Sequence, residues 1–266
     1  MVNSSQMFVC PKKEIDMFLQ KIKKIDELQK EIQSFRPLNK QELSELKEYY
    51  KIGLTYTSNA LEGNSLTETE TKIVLEEGIT IGGKLIKDHL EAIGSGDAYE
   101  LLYKLARHEY ISEKDILNLH KLFYVRINPK FAGKYRKVQV FITGSDYIPP
   151  VAKDIPFFMR KFIESLPHLK KDNHPVKYAA LMHLQLVAIH PFTDGNGRCA
   201  RLLMNLALMQ AGYPITIIPP ILRTDYINAI KRAQMKKDDS QFIEFICSMV
   251  YESQLDYLRM LRALVQ

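Results

Sequence analysis

The run His190-Pro191-Phe192-Thr193-Asp194-Gly195-Asn196-Gly197-Arg198-Cys199-Ala200-Arg201 gathers a base, a carboxylate, a glycine-rich turn and two arginines in one short stretch. His190 carries a side chain that exchanges a proton near neutral pH, as a general base must. Gly195 and Gly197 permit positive φ and a close approach of backbone to a ligand. Arg198 and Arg201 lie three apart and so share one face of a helix's first turn. Two cations there oppose the macrodipole, by about 0.3–1 kcal/mol each, unless a polyanion offsets them. Phosphates suit best, because guanidinium forks match their oxygens in bidentate geometry. Asp194 would repel those phosphates without a cation between them. Mg²⁺, or Mn²⁺ in its place, is the expected ion: Mg²⁺ uses one or two carboxylates plus substrate phosphates and keeps several waters. The residues therefore point to metal-assisted transfer on a nucleotide-like polyphosphate, with His190 as base. Taken singly, the histidine reads as a helix cap, Asp-Gly-Asn-Gly as a turn and the arginines as a solvated face. Their conjunction is what carries the reading.

Two apolar segments must position this run. Tyr178 to Ile189 and Leu202 to Ala211 are too long for ordinary strands and read as buried helices. Pro191 stops the first, since its ring clashes with a continuing helical backbone. The second starts near Gly197, with free N–H groups pointing back into the turn as an anion hole. Phe192 reads as an apolar anchor holding the loop on the core.

Elsewhere the periodicity predicts helices over Lys12 to Phe35, Glu42 to Glu62, Thr67 to Glu76, Lys84 to His108, Glu113 to Phe123, Ile155 to Leu166, Asp225 to Lys236 and Gln241 to Leu264. Ser65 is the expected cap of the third and Ser112 of the fifth. Between residues 133 and 150, alternating polar and apolar residues meet Thr143-Gly144-Ser145-Asp146, a hairpin signal in an otherwise helical chain. The expected fold is all-α with one short β-hairpin. Residues 1–40 form an N-terminal helical extension, with a hinge at Arg36 to Lys40, and residues 41–266 form the core.

The run from His190 to Arg201 resembles the Fic motif, H-P-F-x-[D/E]-G-N-G-R-x-x-R, at every defined position. Fic proteins are mostly adenylyltransferases, which move AMP from ATP to a hydroxyl side chain of a target protein. The resemblance implies that His190 deprotonates the hydroxyl that attacks the α-phosphate, and that Asp194 holds Mg²⁺ on the phosphates. Gly195, Asn196 and Gly197 would line the anion hole, and Arg198 and Arg201 would bind the β- and γ-phosphates. The related death-on-curing branch, which phosphorylates its targets, typically has lysine where this chain has Gly197. The segment 133–150 resembles the family's flap, in which Val138, Gln139, Val140, Phe141 and Ile142 would pair with an extended stretch of target by strand addition. Ser58-Asn59-Ala60-Leu61-Glu62-Gly63 matches the inhibitory motif [S/T]-x-x-x-E-[G/N] within the helix spanning about residues 41–62. That match implies that Glu62 pairs with Arg201 in the γ-phosphate's place, with Ser58 holding the helix against the site. Tyr226 and Gln234 fall where family members place residues near the adenine. Alternatives within the chemistry are another diphosphate donor, or removal of AMP with Glu62 positioning a water. A non-catalytic nucleotide-binding interaction module is a third, against which the intact His190 argues.

Composition agrees with a soluble cytoplasmic enzyme. The chain has 266 residues, 46% of them apolar, enough for a sizeable core. A pI near 9.0 and a net charge of +6 come without any basic tract, and no winged helix follows the last helix, so nucleic acid is not an expected partner. Cys10, Cys199 and Cys247 have neither metal nor disulfide spacing. No apolar run suits a membrane span, and no Walker motif is present, which excludes a P-loop ATPase. His183, seven residues before His190, reads as a core histidine before it reads as half of a two-histidine metal site. His89, His120 and His174 carry no assigned role. The expected partners are ATP and a protein bearing a Ser, Thr or Tyr hydroxyl, with self-modification and homodimerisation through residues 12–35 left open.

Overall fold

The computed structural model describes residues 12–264, with side chains from Phe18 onward. Ten α-helices are present among the described residues: α1 (Lys12–Ser34), α2 (Lys40–Ala60), α3 (Glu68–Glu76), α4 (Ile86–Leu105), α5 (Glu113–Tyr124), α6 (Ile155–Asp172), α7 (Pro175–Ile189), α8 (Asn196–Gln210), α9 (Arg223–Lys236) and α10 (Ser240–Leu264). Cys10 lies outside the described residues.

Local sequence explains where these helices begin. Asn39 accepts from Glu42 N at 2.9 Å while Glu42 Oε2 accepts from Asn39 N at 2.8 Å, a reciprocal capping box on α2. Thr67 with Glu70 and Ser112 with Asp115 build the same device on α3 and α5. Thr67, not Ser65, is thus the cap of α3; the Ser65 hydroxyl instead donates to Asp88 on α4 at 2.6 Å. Helix α6 runs past Pro167 to Asp172, six residues further than the sequence suggested. The exposed side of α6 tolerates the lost donor, and Asn173 Nδ2 donates to Leu169 O at 3.0 Å at its end.

Helices α7 and α8 form an antiparallel pair at the centre, as their nearly unbroken apolar character requires. Around them pack α10 and α6 against α7, and α4, α5 and α2 against α8. Helix α1 lies along α10. Its Ile25 and Ile32 are fully buried in the same hydrophobic cluster as the two central helices. Polar contacts seal the seam: Gln254 Nε2 donates to Ile25 O at 3.2 Å and to Gln29 Oε1 at 2.9 Å. No helix among the described residues is long and apolar enough to cross a membrane.

The hairpin expected over residues 133–150 does not form; no strand is present among the described residues. Side chains have replaced the ladder. Arg136, 2% exposed, donates from Nε to His190 O, from Nη1 to Val138 O at 2.9 Å and from Nη2 to Pro150 O at 2.5 Å. Gln139 Nε2 donates to Pro149 O at 3.0 Å. Carbonyls that a ladder would use are thereby occupied, and Pro149 and Pro150 have no N–H to offer. Two arms result, tied at the base and joined by a turn in which Ser145 N donates to Ile142 O at 3.0 Å.

If α1 belongs to the core, Ile32→Ala should destabilise the whole protein by about 2–5 kcal/mol, the cost of a buried large-to-small change. Urea unfolding followed by circular dichroism should then show one cooperative transition at a lower midpoint, not early loss of one helix.

Candidate functional site

The loop between α7 and α8 is held in a strained shape by bonds on all sides. His190 closes α7 in the left-handed region, with φ 51° and ψ 58°. That conformation is uncommon for a residue with a Cβ and persists only where its surroundings enforce it. Arg136 supplies part of the enforcement by binding His190 O, and the Arg136 amide donates to Pro191 O at 2.9 Å. Phe192, fully buried, is bridged to the other end of the loop by Asn196. Its N–H donates to Asn196 Oδ1 and its carbonyl accepts from Asn196 Nδ2, both at 2.9 Å. Asn196 is therefore the brace of the loop, and what it can offer an anion is its backbone N–H.

His120, to which the sequence reading gave no role, is a principal support. Its ring stacks on Phe192 at 3.7 Å between centroids and 11° between planes. Nδ1 accepts from Gly133 N at 2.9 Å, so Nε2 carries the proton and donates to Asp194 O at 3.0 Å. Burial pushes the imidazole down to about 4, which keeps it neutral and its tautomer fixed. One residue of α5 thus locks the loop to the base of the flap. The only sequence signal was a histidine on the apolar face of an amphipathic helix. Arg136 gave no more: a basic residue in an alternating segment.

Gly195 N-caps α8 with φ 80°, and a Cβ there would sit 2.6 Å from the Phe123 ring. The first intrahelical bond runs from Cys199 N to Gly195 O, which leaves the N–H groups of Asn196, Gly197 and Arg198 with no helical acceptor. These donors and the helix dipole form a helix start of the kind that can receive an anion. Any Cβ at Gly197 would collide with the Glu62 carboxylate, so this glycine keeps the helix end open to an acidic group.

Each arginine is buried and each meets a carboxylate. Arg201, 2% exposed, donates from Nε to Ser58 Oγ at 3.0 Å, from Nη2 to Ser58 O at 2.8 Å and to Glu62 Oε1 at 2.7 Å, and from Nη1 to Tyr226 OH at 3.1 Å. Ser58 and Glu62 are therefore both brought to Arg201, the contact that the family resemblance implied. Glu62 lies two residues past the end of α2, in the turn that follows, not inside the helix. Burial opposes its ionisation, but the charge and hydrogen bond of Arg201, aided by Arg198, outweigh that and hold its carboxyl below the usual range. Arg198, also 2% exposed, lies 2.8 Å from Glu91 Oε1 and 3.6 Å from Asp194 Oδ2. The Glu91 contact is an ion pair without hydrogen-bond geometry: Arg198 Nε and Nη1 are buried with no acceptor. Those two donors of Arg198 are therefore not committed to a protein acceptor.

His190 places Nδ1 3.4 Å from Val187 O, an acceptor only, which makes Nε2 the basic nitrogen. Burial, with a contribution from the Arg136 charge, lowers its pKa below the usual 6.5, so the ring is a neutral base at physiological pH. Asp194 stands at the mouth with a side chain 46% exposed, and its Oδ1 accepts from Gly195 N at 2.6 Å. No group of three His, Cys, Asp or Glu able to cage a metal exists among the described residues. A lone accessible carboxylate fits an ion that draws its remaining ligands from phosphate and water.

Other residues singled out in the sequence sit further from the loop. Tyr226 is 2% exposed, its hydroxyl shared between Arg201 and His183 Nε2 at 2.8 Å. His183, fully buried and stacked on Phe242, is a core histidine. Gln234 Nε2 reaches Val187 O at 3.4 Å and lines a groove between α7 and α9 with Leu184 and Ala188. On the flap, Val138 and Phe141 are 60% and 78% exposed. No amide from Lys137 to Gly144 donates to another backbone group.

Comparison with known proteins places this loop inside a known family domain. The Fic/DOC family pattern matches residues 110–208, from the start of α5 through the loop into α8. A protein adenylyltransferase Fic of Drosophila mojavensis is 42% identical over 193 residues, 72% of this chain and 38% of the relative. One of Nematostella vectensis is 41% identical over 196 residues, 72% of this chain and 45% of the relative. This chain thus spans less than half the length of these curated relatives. Among solved structures, Fic-1 of C. elegans superposes with a TM-score of 0.84 at 29% identity, covering 93% of this chain and 74% of that one. A Fic domain-containing signalling protein from Bacteroides thetaiotaomicron gives 0.82 at 27% identity, covering 90% of this chain and 97% of the other. With the family pattern over residues 110–208, the sequence similarity to the curated relatives and the superposition on Fic structures together, the chain belongs to the Fic/DOC family, and residues 110–208 are its family domain.

Proposed function

We propose that the protein is an adenylyltransferase that moves AMP from ATP to a hydroxyl side chain of a target protein, and that Glu62 restrains it. The observation that carries this reading is the Glu62–Arg201 pair at 2.7 Å, set beside a helix N-terminus and an Arg198 with unsatisfied donors. In the transfer, His190 Nε2 takes the proton of the target hydroxyl and the hydroxyl oxygen bonds to the α-phosphorus. The bond from that phosphorus to the oxygen bridging the α- and β-phosphates breaks, and pyrophosphate leaves with the electron pair. The free N–H groups at the start of α8 receive phosphate oxygens, Arg198 completes its donors on the β-phosphate, and Arg201 receives the γ-phosphate once Glu62 withdraws. Asp194 would hold Mg²⁺, which neutralises phosphate charge when bound. The adenine would extend toward Tyr226 and Gln234.

The flap supports a peptide-like target. Its amides from Lys137 to Gly144 have no backbone acceptors, and Val138 and Phe141 are bare, as strand addition requires. The curated relatives named protein adenylyltransferase Fic support the same activity.

Transfer of label from α-³²P-ATP to protein tests this reading. Glu62→Gly should raise labelling by about tenfold or more, a coupling of ordinary allosteric size. Adding His190→Ala should lower it by about 10²–10⁴-fold, the worth of a general base. Equal labelling with and without His190 would overturn the assignment. The pH profile gives a second check. His190 must be neutral to act and its pKa is depressed, so kcat/KM of Glu62→Gly should stay level down to pH 6.5 and fall only below it. An acid limb centred above 6.5 would contradict His190 as the base.

A further inference from the structure

The restraint on this site extends beyond Glu62. Two residues after it, Asn64 Nδ2 donates to Glu91 Oε2 at 2.9 Å and to Asp88 O at 3.0 Å. Glu91, 5% exposed on α4, sets its other oxygen 2.8 Å from Arg198 Nη1. Among the described residues its one other cation is Lys87, at 3.6 Å with a side chain 56% exposed. Next to Asn64, Ser65 N and Oγ donate to Asp88 Oδ2 at 3.1 and 2.6 Å. The turn that presents Glu62 to Arg201 is thus bolted to α4, and one bolt shares its carboxylate with Arg198. Both loop arginines, three apart on α8, are reached from one short segment: Arg201 directly by Glu62, Arg198 through Asn64 and Glu91.

We infer that Asn64 and Glu91 are positioning residues that couple Arg198 to the inhibitory turn, so that phosphate on Arg198 loosens the hold of Glu62 on Arg201. The physical reason lies in the competition for Arg198. Glu91 supplies charge but no hydrogen bond to Nε or Nη1, whereas a phosphate supplies both. Phosphate on Arg198 takes the guanidinium from Glu91 and sets a second anion beside that carboxylate, displacing one of the two acceptors, Glu91 and Asp88 O, that hold Asn64. Without Asn64, the polar ties of the turn to α4 reduce to Ser65 on Asp88, beside the packing of Leu66 on Ala92. The inference rests on the proposed function for the meaning of the restraint, but the coupling itself is a property of the unliganded chain.

The test uses the full chain with Asn64→Ala and Glu91→Gln, each alone and combined with Glu62→Gly, alongside the parent proteins. In the otherwise natural chain Asn64→Ala should raise AMP transfer by about fivefold or more. In the Glu62→Gly background the same change should alter the rate by less than about twofold, because the element it holds has lost its function. Equal effects in the two backgrounds, or none in the natural chain, would overturn the coupling. Amide hydrogen exchange over residues 61–66 supplies a readout that needs no transfer. Exchange there should quicken in Asn64→Ala and Glu91→Gln, and in the parent on adding ATP. It should respond less to ATP once Glu91 is Gln. Unchanged exchange in both variants sinks the inference, even if Glu62→Gly proves active. Loss of transfer in Glu62→Gly with quickened exchange in the variants would instead remove the proposed activity and leave the coupling standing.

Discussion

A buried guanidinium must find acceptors for its donors and a counter-charge for itself, and Arg201 obtains these from separate parts of the chain. Ser58 and Glu62 come from α2 and the turn beyond it, and Tyr226 comes from α9. Breaking a buried pair by removing one partner is costly because it leaves an uncompensated charge. Either Glu62 or an incoming anion must therefore be present, and the two cannot share the position. This mutual exclusion is what gives the Glu62–Arg201 pair its place in the proposed restraint. It also fixes the docking of α2 across the start of α8, since the helix end is where the acceptors are.

The loop depends on a second constraint, the bracing of an unfavourable backbone. His190 in the left-handed region is held by Arg136, Phe192 by the two bonds to Asn196, and Asp194 by His120. Each brace originates on a different element, so the shape is over-determined. The result places the base, the open helix end and the exposed carboxylate within one mouth, with little reorganisation left for the reaction itself. Flap and loop are not independent either. Arg136 and His120 each bind both, so the position of residues 138–142 is set by the same bonds that shape the loop.

Charge and burial separate the two histidines of the site. His120 accepts a backbone N–H and donates to a carbonyl, and burial takes it down to about 4, a neutral structural bridge. His190 has one carbonyl neighbour and a lesser downward shift, which leaves Nε2 as a usable base. The same ring is thus a strut in one place and leaves a free basic nitrogen in the other, according to how many of its nitrogens are already engaged.

The sequence by itself determined the helical class, the cap at Ser112, the interruption after α7 and the open start of α8, because these follow from local periodicity, backbone geometry and residue type. The pairing of Glu62 with Arg201 was legible only through a family pattern, since nothing local to either residue points at the other across so many positions. Glu91, Asn64, His120 and Arg136 were not legible. Their work lies in contacts between distant segments, and an isolated charged or imidazole side chain looks the same whether it faces water or a buried partner. The flap shows the converse failure. Alternation predicted a ladder, but the tertiary placement of one buried arginine gave its carbonyls to a guanidinium and left two unpaired arms. Local pattern settles which elements exist; which polar groups must satisfy one another is decided only when packing excludes water from them.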